Sequence, residues 1–285
     1  MQKRFGLAAL YATLLAATLM AGASPVCSAE KLGNDLYLGS VAMDVPAAMV
    51  KRLTPLAKYL SRKTGYNVMF RASPNLGSAV EDLGMGHTQL AYLTPVAYIE
   101  AHEKYAAAPL VGPLTHGKAL FTLVIAVRKD SPIKTVSDLR GKKFAFGDEK
   151  ALLQPAVVMG AGIKLEDFSS YAYLKHYDNI AKALLNEDFD AGILKDTIAE
   201  KYQSKGLRII HVSPPLASYL FAVGSRLPPE TVARLKSALL ALKPDTPENQ
   251  DVLSALDPAY DGFVEADNKD YQVIRKLIAP LQEKK

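Results

Sequence analysis

Tryptophan is absent from this 285-residue chain, and cysteine occurs once, at Cys27. One cysteine excludes an internal disulfide framework and a cysteine-built zinc site. Histidine is also scarce: His87, His102, His116, His176 and His211 never approach metal-ligand spacing, and none sits in a Glu-x-x-His context. A Gly-x-Ser-x-Gly turn is missing, and Gly84-Met85-Gly86 lacks the rest of a phosphate-cradling loop. The chain is therefore expected to be no enzyme and to hold no metal or cofactor. Excess charge is small as well. The formal net charge is +5; residues 1–29 carry Lys3 and Arg4 and no carboxylate, so the remainder carries +3. The densest basic cluster, 140–143, reads as a polar turn, and no basic stripe interleaved with aromatics points to nucleic acid.

Long apolar runs are confined to the N-terminus. Lys3 and Arg4 precede the run 7–20, which Gly22, Ser24 and Pro25 break, and Cys27-Ser28-Ala29 places small residues before Glu30. This is the pattern of a signal peptide over 1–29, with the mature chain beginning at Glu30 outside the cytoplasm. Lipid attachment at Cys27 is the weaker reading, because Val26 stands where such a site wants a small residue. Once Cys27 is removed the mature chain has no cysteine, so its stability must come from its cores. The remaining 256 residues suffice for one large domain or two smaller ones. Tyrosine is abundant, with 14 rings available to line a pocket.

Periodicity predicts alternating strands and amphipathic helices. Residues 36–41 read as a strand; a helix follows from Pro46, with Met49, Leu53, Leu56, Ala57 and Leu60 on one face and Thr64-Gly65 at its end. Strands are predicted at 66–70, 89–93, 121–127, 143–146, 168–174, 191–194, 207–212 and 219–223, with helices at 76–83 and 136–139 and others between the later strands. From Pro228 the pattern turns helical and finishes at 271–281. Such alternation argues for an α/β fold with mainly parallel sheets flanked by helices. The helix-rich tail lacks strands for a domain of its own, so it is expected to return to the first lobe. This gives lobe I as 30–117 and 223–285, and lobe II as 118–222, with crossings near 114–118 and 220–226. Ligand sites in open α/β sheets lie outside the carboxyl ends of strands. The loops that matter are therefore 43–44, 73–77, 94–95, 146–153 and 175–178.

Several stretches resemble a known family. LGSVAM (38–43), PLAKYLSRKTGYNV (55–68), LAYLTPVAYIEAH (90–102), VRKDSPIKTVSDLRGKKFAFGD (127–148), DAGI (190–193) and GFVEADNKDYQVIRKL (262–277) are similar to the phosphate, phosphite and phosphonate binding proteins of ABC importers. The resemblance spans about 36–281. It implies a two-lobed, type II periplasmic-binding-protein fold with a ligand cleft between the lobes. It also implies a periplasmic location, a small-molecule ligand, an ABC permease as partner and a monomer. A solute sensor docking on a membrane kinase, and a protein that keeps the fold only to bind a partner, are the competing classes.

At the pocket the sequence departs from the family pattern. The family follows FGD with Ser-Thr-Ser-Gly at a helix start, where hydroxyls and N–H groups clasp an oxyanion. Here 149–155 reads Glu-Lys-Ala-Leu-Leu-Gln-Pro, without a hydroxyl. The family's two pocket tyrosines correspond to Met43 and Phe121, and its histidine aligns with Tyr177, with His176 one place off register. Simple phosphate or phosphonate is therefore not the expected ligand, unless Lys150 rescues anion binding. The candidate ligand-binding residues are Met43, Asp44, Asn75, Thr94, Phe121, Asp148, Lys150, Tyr177 and Asp178. The aspartates favour a cation or a polyhydroxyl solute, and Lys150 a carboxylate. Asp148 reads equally well as a helix cap, Lys150 beside Glu149 as a solvated pair, and Tyr92 and Tyr98 as core or cleft.

Overall fold

A computed structural model describes residues 33–41, 46–73, 76–149 and 151–282. The first half runs β1 (Asp35–Ser40), α1 (Pro46–Thr64), β2 (Asn67–Phe70), α2 (Leu76–Met85), β3 (Leu90–Leu93), α3 (Pro95–Tyr105), β4 (Ala108–Thr115), β5 (Leu120–Phe121), β6 (Leu123–Arg128) and β7 (Lys143–Phe146). It continues with α4 (Leu153–Gly160), β8 (Ser170–Tyr173), α5 (Tyr177–Leu185), β9 (Ala191–Lys195), α6 (Asp196–Gln203), β10 (Leu207–Val212), β11 (Leu216–Ala217) and β12 (Leu220–Val223). The C-terminal part holds α7 (Pro229–Leu240), α8 (Pro247–Leu256), β13 (Tyr260–Glu265) and α9 (Gln272–Gln282).

Two sheets organise the two lobes. One has the order β13-β4-β12-β3-β1-β2, the other β10-β6-β9-β7-β8, and a short β11-β5 ribbon joins the segments that run between them. Both sheets are mixed rather than mainly parallel. β1 pairs in parallel with β2 and β3, but β12 and β13 pair antiparallel. In the second sheet β7 is parallel to β8 and β9, while β6 is antiparallel to β9 and β10. Part of the departure from expectation comes from β4 and β13, which pattern reading passed over; the rest comes from β6 and β12, foreseen as strands but running antiparallel to their neighbours. β4 carries Pro109, Gly112 and Pro113 in an interior strand, where proline removes ladder hydrogen bonds. Register shifts at Phe221/Ala222 and Tyr260/Gly262 in its two neighbours accompany this irregularity.

Helix α1 buries Met49, Leu53, Leu56, Ala57 and Leu60, the face its periodicity predicts. The Tyr59 hydroxyl donates to the Ala238 carbonyl at 3.0 Å, tying α1 to α7. α7 and α8 lie on the six-stranded sheet beside α1 and β13. The last helix behaves differently. α9 buries Ile274 and Ile278 and packs against both α3 and α4, the latter a helix of the five-stranded sheet. Gly160 permits that approach, since a Cβ there would stand 3.0 Å from Leu277 Cδ2. At its foot, Asn268 Oδ1 accepts from Tyr98 Oη at 2.9 Å and Arg275 Nη2 at 2.6 Å, and Asn268 Nδ2 lies 3.1 Å from His102 Nε2.

After β4 the chain turns sharply through His116 (φ 50°) and Gly117 (φ 71°), with Thr115 and Lys118 exchanging backbone hydrogen bonds at 2.9 and 3.0 Å. Both central residues lie at positive φ, the requirement of a tight two-residue hairpin turn. Asp261 Oδ2 accepts the Gly117 N–H at 2.7 Å, fixing this turn to β13 at the point where the chain leaves the first sheet.

Candidate functional site

The segment returning from β11 to β12 carries Tyr219. Its ring stacks on that of Tyr92 in β3, with centroids 5.4 Å apart, and Tyr92 also meets Phe221 at 4.9 Å. The Tyr92 and Tyr260 hydroxyls share a 2.5 Å hydrogen bond. Burial pushes the Tyr219 hydroxyl above the ordinary tyrosine range; Arg52 pulls it down, and Asp148 and Asp257 push it further up. Arg52 and Asp257 belong to the first lobe, whereas Asp148 follows β7 in the second. Arg52 is itself held by α8, whose Leu256 carbonyl accepts from its Nε and Nη2 at 3.1 and 2.7 Å.

Tyr177 opens α5 on the second lobe. Burial drives its hydroxyl well above the usual range, with Tyr219 and Asp196 adding to the effect and a hydrogen bond from Gln154 opposing it. That bond runs from Gln154 Nε2 at 3.2 Å. The other end of the same buried carboxamide accepts the Gly147 N–H at 2.7 Å. Gly147 has no room for a side chain, because a Cβ would lie 2.7 Å from Gln154 Nε2. Three backbone donors around the start of α4 are bonded locally. Ala151 N–H donates to the Asp148 carbonyl, Gln154 N–H to Ala151 and Ala156 N–H to Leu152, at 3.0 to 3.1 Å. Pro155 has no N–H to give.

Met43, Asp44, Asn75 and Lys150 lie outside the described residues. Thr94 follows β3 and caps α3, its Oγ1 accepting the Ala97 N–H at 3.1 Å ahead of Pro95 at the first helical position. Phe121 is half-buried in β5, paired with Leu216 across the ribbon, and Lys195 Nζ stands 5.6 Å from its ring centroid. Asp148 is exposed at the end of β7, its carbonyl taken by Ala151. Tyr177 and Asp148 are coupled electrostatically to the Tyr219 hydroxyl. Asp178 faces α6 instead: Lys201 Nζ and Tyr202 Oη bond to its Oδ1 at 2.7 and 2.9 Å and hold its carboxyl below the usual carboxylate range.

Pattern reading missed Gln154, Tyr219, Tyr260, Arg52 and Lys195. Tyr219 directly precedes a strand, which was the available signal. Lys195 ends β9, at the edge of the sheet where ligand sites gather. Gln154 gave no signal, since its role depends on a fold-back onto Gly147. Among the described residues no group of three or more His, Cys, Asp or Glu side chains is arranged to hold a metal ion.

A family model described as ABC transporter, phosphonate, periplasmic substrate-binding protein matches residues 38–271. The chain belongs to that family. It is a periplasmic solute-binding protein, a receptor for an ABC importer rather than an enzyme. A Phosphate-import protein PhnD of Mycolicibacterium smegmatis is 25% identical, covering 74% of this chain and 72% of its own. Among solved structures, XAC2383 from Xanthomonas citri bound to ATP superimposes with a TM-score of 0.72 at 21% identity, covering 88% of this chain and 98% of the other. PhnD1 from Prochlorococcus marinus in complex with methylphosphonate gives 0.70 at 18% identity, covering 88% and 99%. At such identities these two structures establish the shared fold.

Proposed function

We propose that the solute delivered by this receptor is not simple phosphate, phosphite or phosphonate but a larger, partly apolar molecule carrying an amine or a carboxylate. The observation that supports this most is the capture of the Gly147 N–H by Gln154. Taking a doubly charged oxyanion out of water requires a dense set of donors, because charge left partly unpaired costs several kcal/mol. In the family such donors follow the FGD motif. Here the Gly147 N–H is bonded to a buried amide and the Ala151 and Gln154 N–H groups to neighbouring carbonyls, and 149–154 has no hydroxyl. Lys150 is the residue through which an oxyanion would still be held.

The rings around Tyr219 support an apolar component in the ligand. Tyr177, Tyr219 and Tyr260 are partly buried and offer ring faces and hydroxyls, a combination suited to an amphipathic solute, with the fully buried Tyr92 stacked against Tyr219. The Mycolicibacterium relative is named for phosphate and the Prochlorococcus protein holds methylphosphonate; the departure at 149–155 argues that this chain has diverged from that chemistry. The lobes are proposed to divide at 117/118 on the outward path, since β4 and β5 lie in different sheets. On the return, β12 already pairs with β3 and β4, which favours drawing the boundary at the step from β11 to β12 rather than at 222/223.

Native mass spectrometry of protein taken directly from the periplasm tests the reading. The expected result is a retained organic solute, which on re-addition at a thousand-fold excess over Kd stabilises the fold by about 4 kcal/mol. Retention of inorganic phosphate or a simple phosphonate overturns it.

A further inference from the structure

Lys195 is a half-buried cation without a carboxylate partner among the described residues. It is the last residue of β9 and stands opposite Leu123, the first residue of β6, so it sits beside the β5-β11 ribbon. Its ammonium lies over the ring of Phe121, 5.6 Å from the centroid. A cation over an aromatic face gains about 0.5–1 kcal/mol at an exposed site, too little to account for holding a lysine in a partly desolvated corner.

The nearest carboxylate in sequence does not neutralise it. Asp196 Oδ2 accepts from Thr122 N and Oγ1 at 2.8 and 3.2 Å, and its Oδ1 accepts from Thr197 N at 2.8 Å. Those bonds consume the carboxylate in fixing the strand-to-helix junction. Lys201, by contrast, bonds Asp178 at 2.7 Å, the ordinary fate of a lysine near an aspartate in this lobe. The same corner reaches the tyrosine cluster, since the Asp196 charge acts on the Tyr177 hydroxyl.

We infer that Lys195 is a solute-binding residue whose ammonium pairs with an anionic group on the ligand, while the Phe121 ring borders the ligand's apolar body. This rests on the receptor reading above and narrows it, selecting an organic monoanion over an amine. An amine would need a carboxylate at this corner, and Asp196, adjacent to Lys195, is engaged, as is Asp178. A compact phosphate would leave the Phe121 face uncovered.

A charge-graded panel tests the inference by calorimetry and thermal shift: benzoate, cyclohexanecarboxylate, benzenesulfonate, benzamide and benzylamine. The wild-type protein should bind the anions at least about tenfold more tightly than benzamide or benzylamine, the discrimination expected of a charge-assisted contact. Lys195→Met should weaken anion binding by about tenfold or more without lowering the Tm of the unliganded protein, and Lys195→Arg should restore most of the affinity. Equal binding of benzylamine and benzoate, unchanged affinity in Lys195→Met, or no anion binding at all overturns the assignment. These failures are distinguishable from failure of the receptor reading, which the solute retained in native mass spectra decides independently.

Discussion

Gln154 and Gly147 are locked together: the carboxamide oxygen accepts the glycine N–H at 2.7 Å, and no side chain fits between them. The bond closes the loop after β7 on itself, in the region the family uses to clasp an oxyanion. It also bridges to Tyr177, so one buried amide sets the floor of this part of the site.

Replacing Gln154 by Ala should therefore destabilise the protein by about 1–3 kcal/mol, because the Gly147 N–H and the Tyr177 hydroxyl lose their partner together. Urea unfolding at neutral pH measures this. A change below about 0.3 kcal/mol would mean the amide is not structural.

The tyrosines should make the fold sensitive to alkali. Burial raises the hydroxyls of Tyr92, Tyr177, Tyr219, Tyr260 and Tyr271 above their value in the unfolded chain, and that of Tyr98 to about 12. A raised folded value means that the unfolded chain releases its protons first, so stability is fully present below pH of about 10 and declines as pH climbs through the folded values. Unfolding midpoints in urea should thus fall steadily from pH 9.5 to 11.5. A flat profile would contradict the burial of these hydroxyls.

Ser61 protects a sheet edge. β2 has β1 as its one neighbour in the six-stranded sheet, and the Val68 N–H donates to Ser61 Oγ at 2.9 Å, while the single serine proton lies within reach of the Ala57 and Val68 carbonyls at 3.0 and 3.2 Å. Ser61→Ala leaves the Val68 N–H without its acceptor on the strand at the sheet edge, where another chain could pair. The variant should lose about 1–2 kcal/mol, and light scattering should detect more aggregation during mild heating. Unchanged stability and scattering would show that water satisfies the edge.

The strands with regular patterns were legible. Residues 143–146 and 207–212 match β7 and β10, and the apolar face of α1 follows its 3.6-residue period. β4 was not legible, because Pro109 and Pro113 are breakers in any local reading and only pairing with β12 and β13 makes the segment a strand. Of the candidate residues, Thr94, Asp148, Tyr177 and Asp178 were chosen by the rule that loops at strand ends bind ligands, and Phe121 by the family resemblance. That rule cannot say which way a side chain is drawn: Asp178 has strong partners on α6. Gln154, Lys195 and Tyr219 make their contacts 7, 74 and 127 positions away, with Gly147, Phe121 and Tyr92, and no local periodicity reveals such pairs.

Calorimetric titration of the mature protein with phosphate, phosphite and methylphosphonate tests the central claim most directly. The account predicts no binding of any of the three at micromolar concentration, because the Gly147, Ala151 and Gln154 N–H donors are already committed and 149–154 has no hydroxyl. Micromolar phosphate binding that disappears in Lys150→Ala would contradict it and return the receptor to the phosphate and phosphonate chemistry of its relatives.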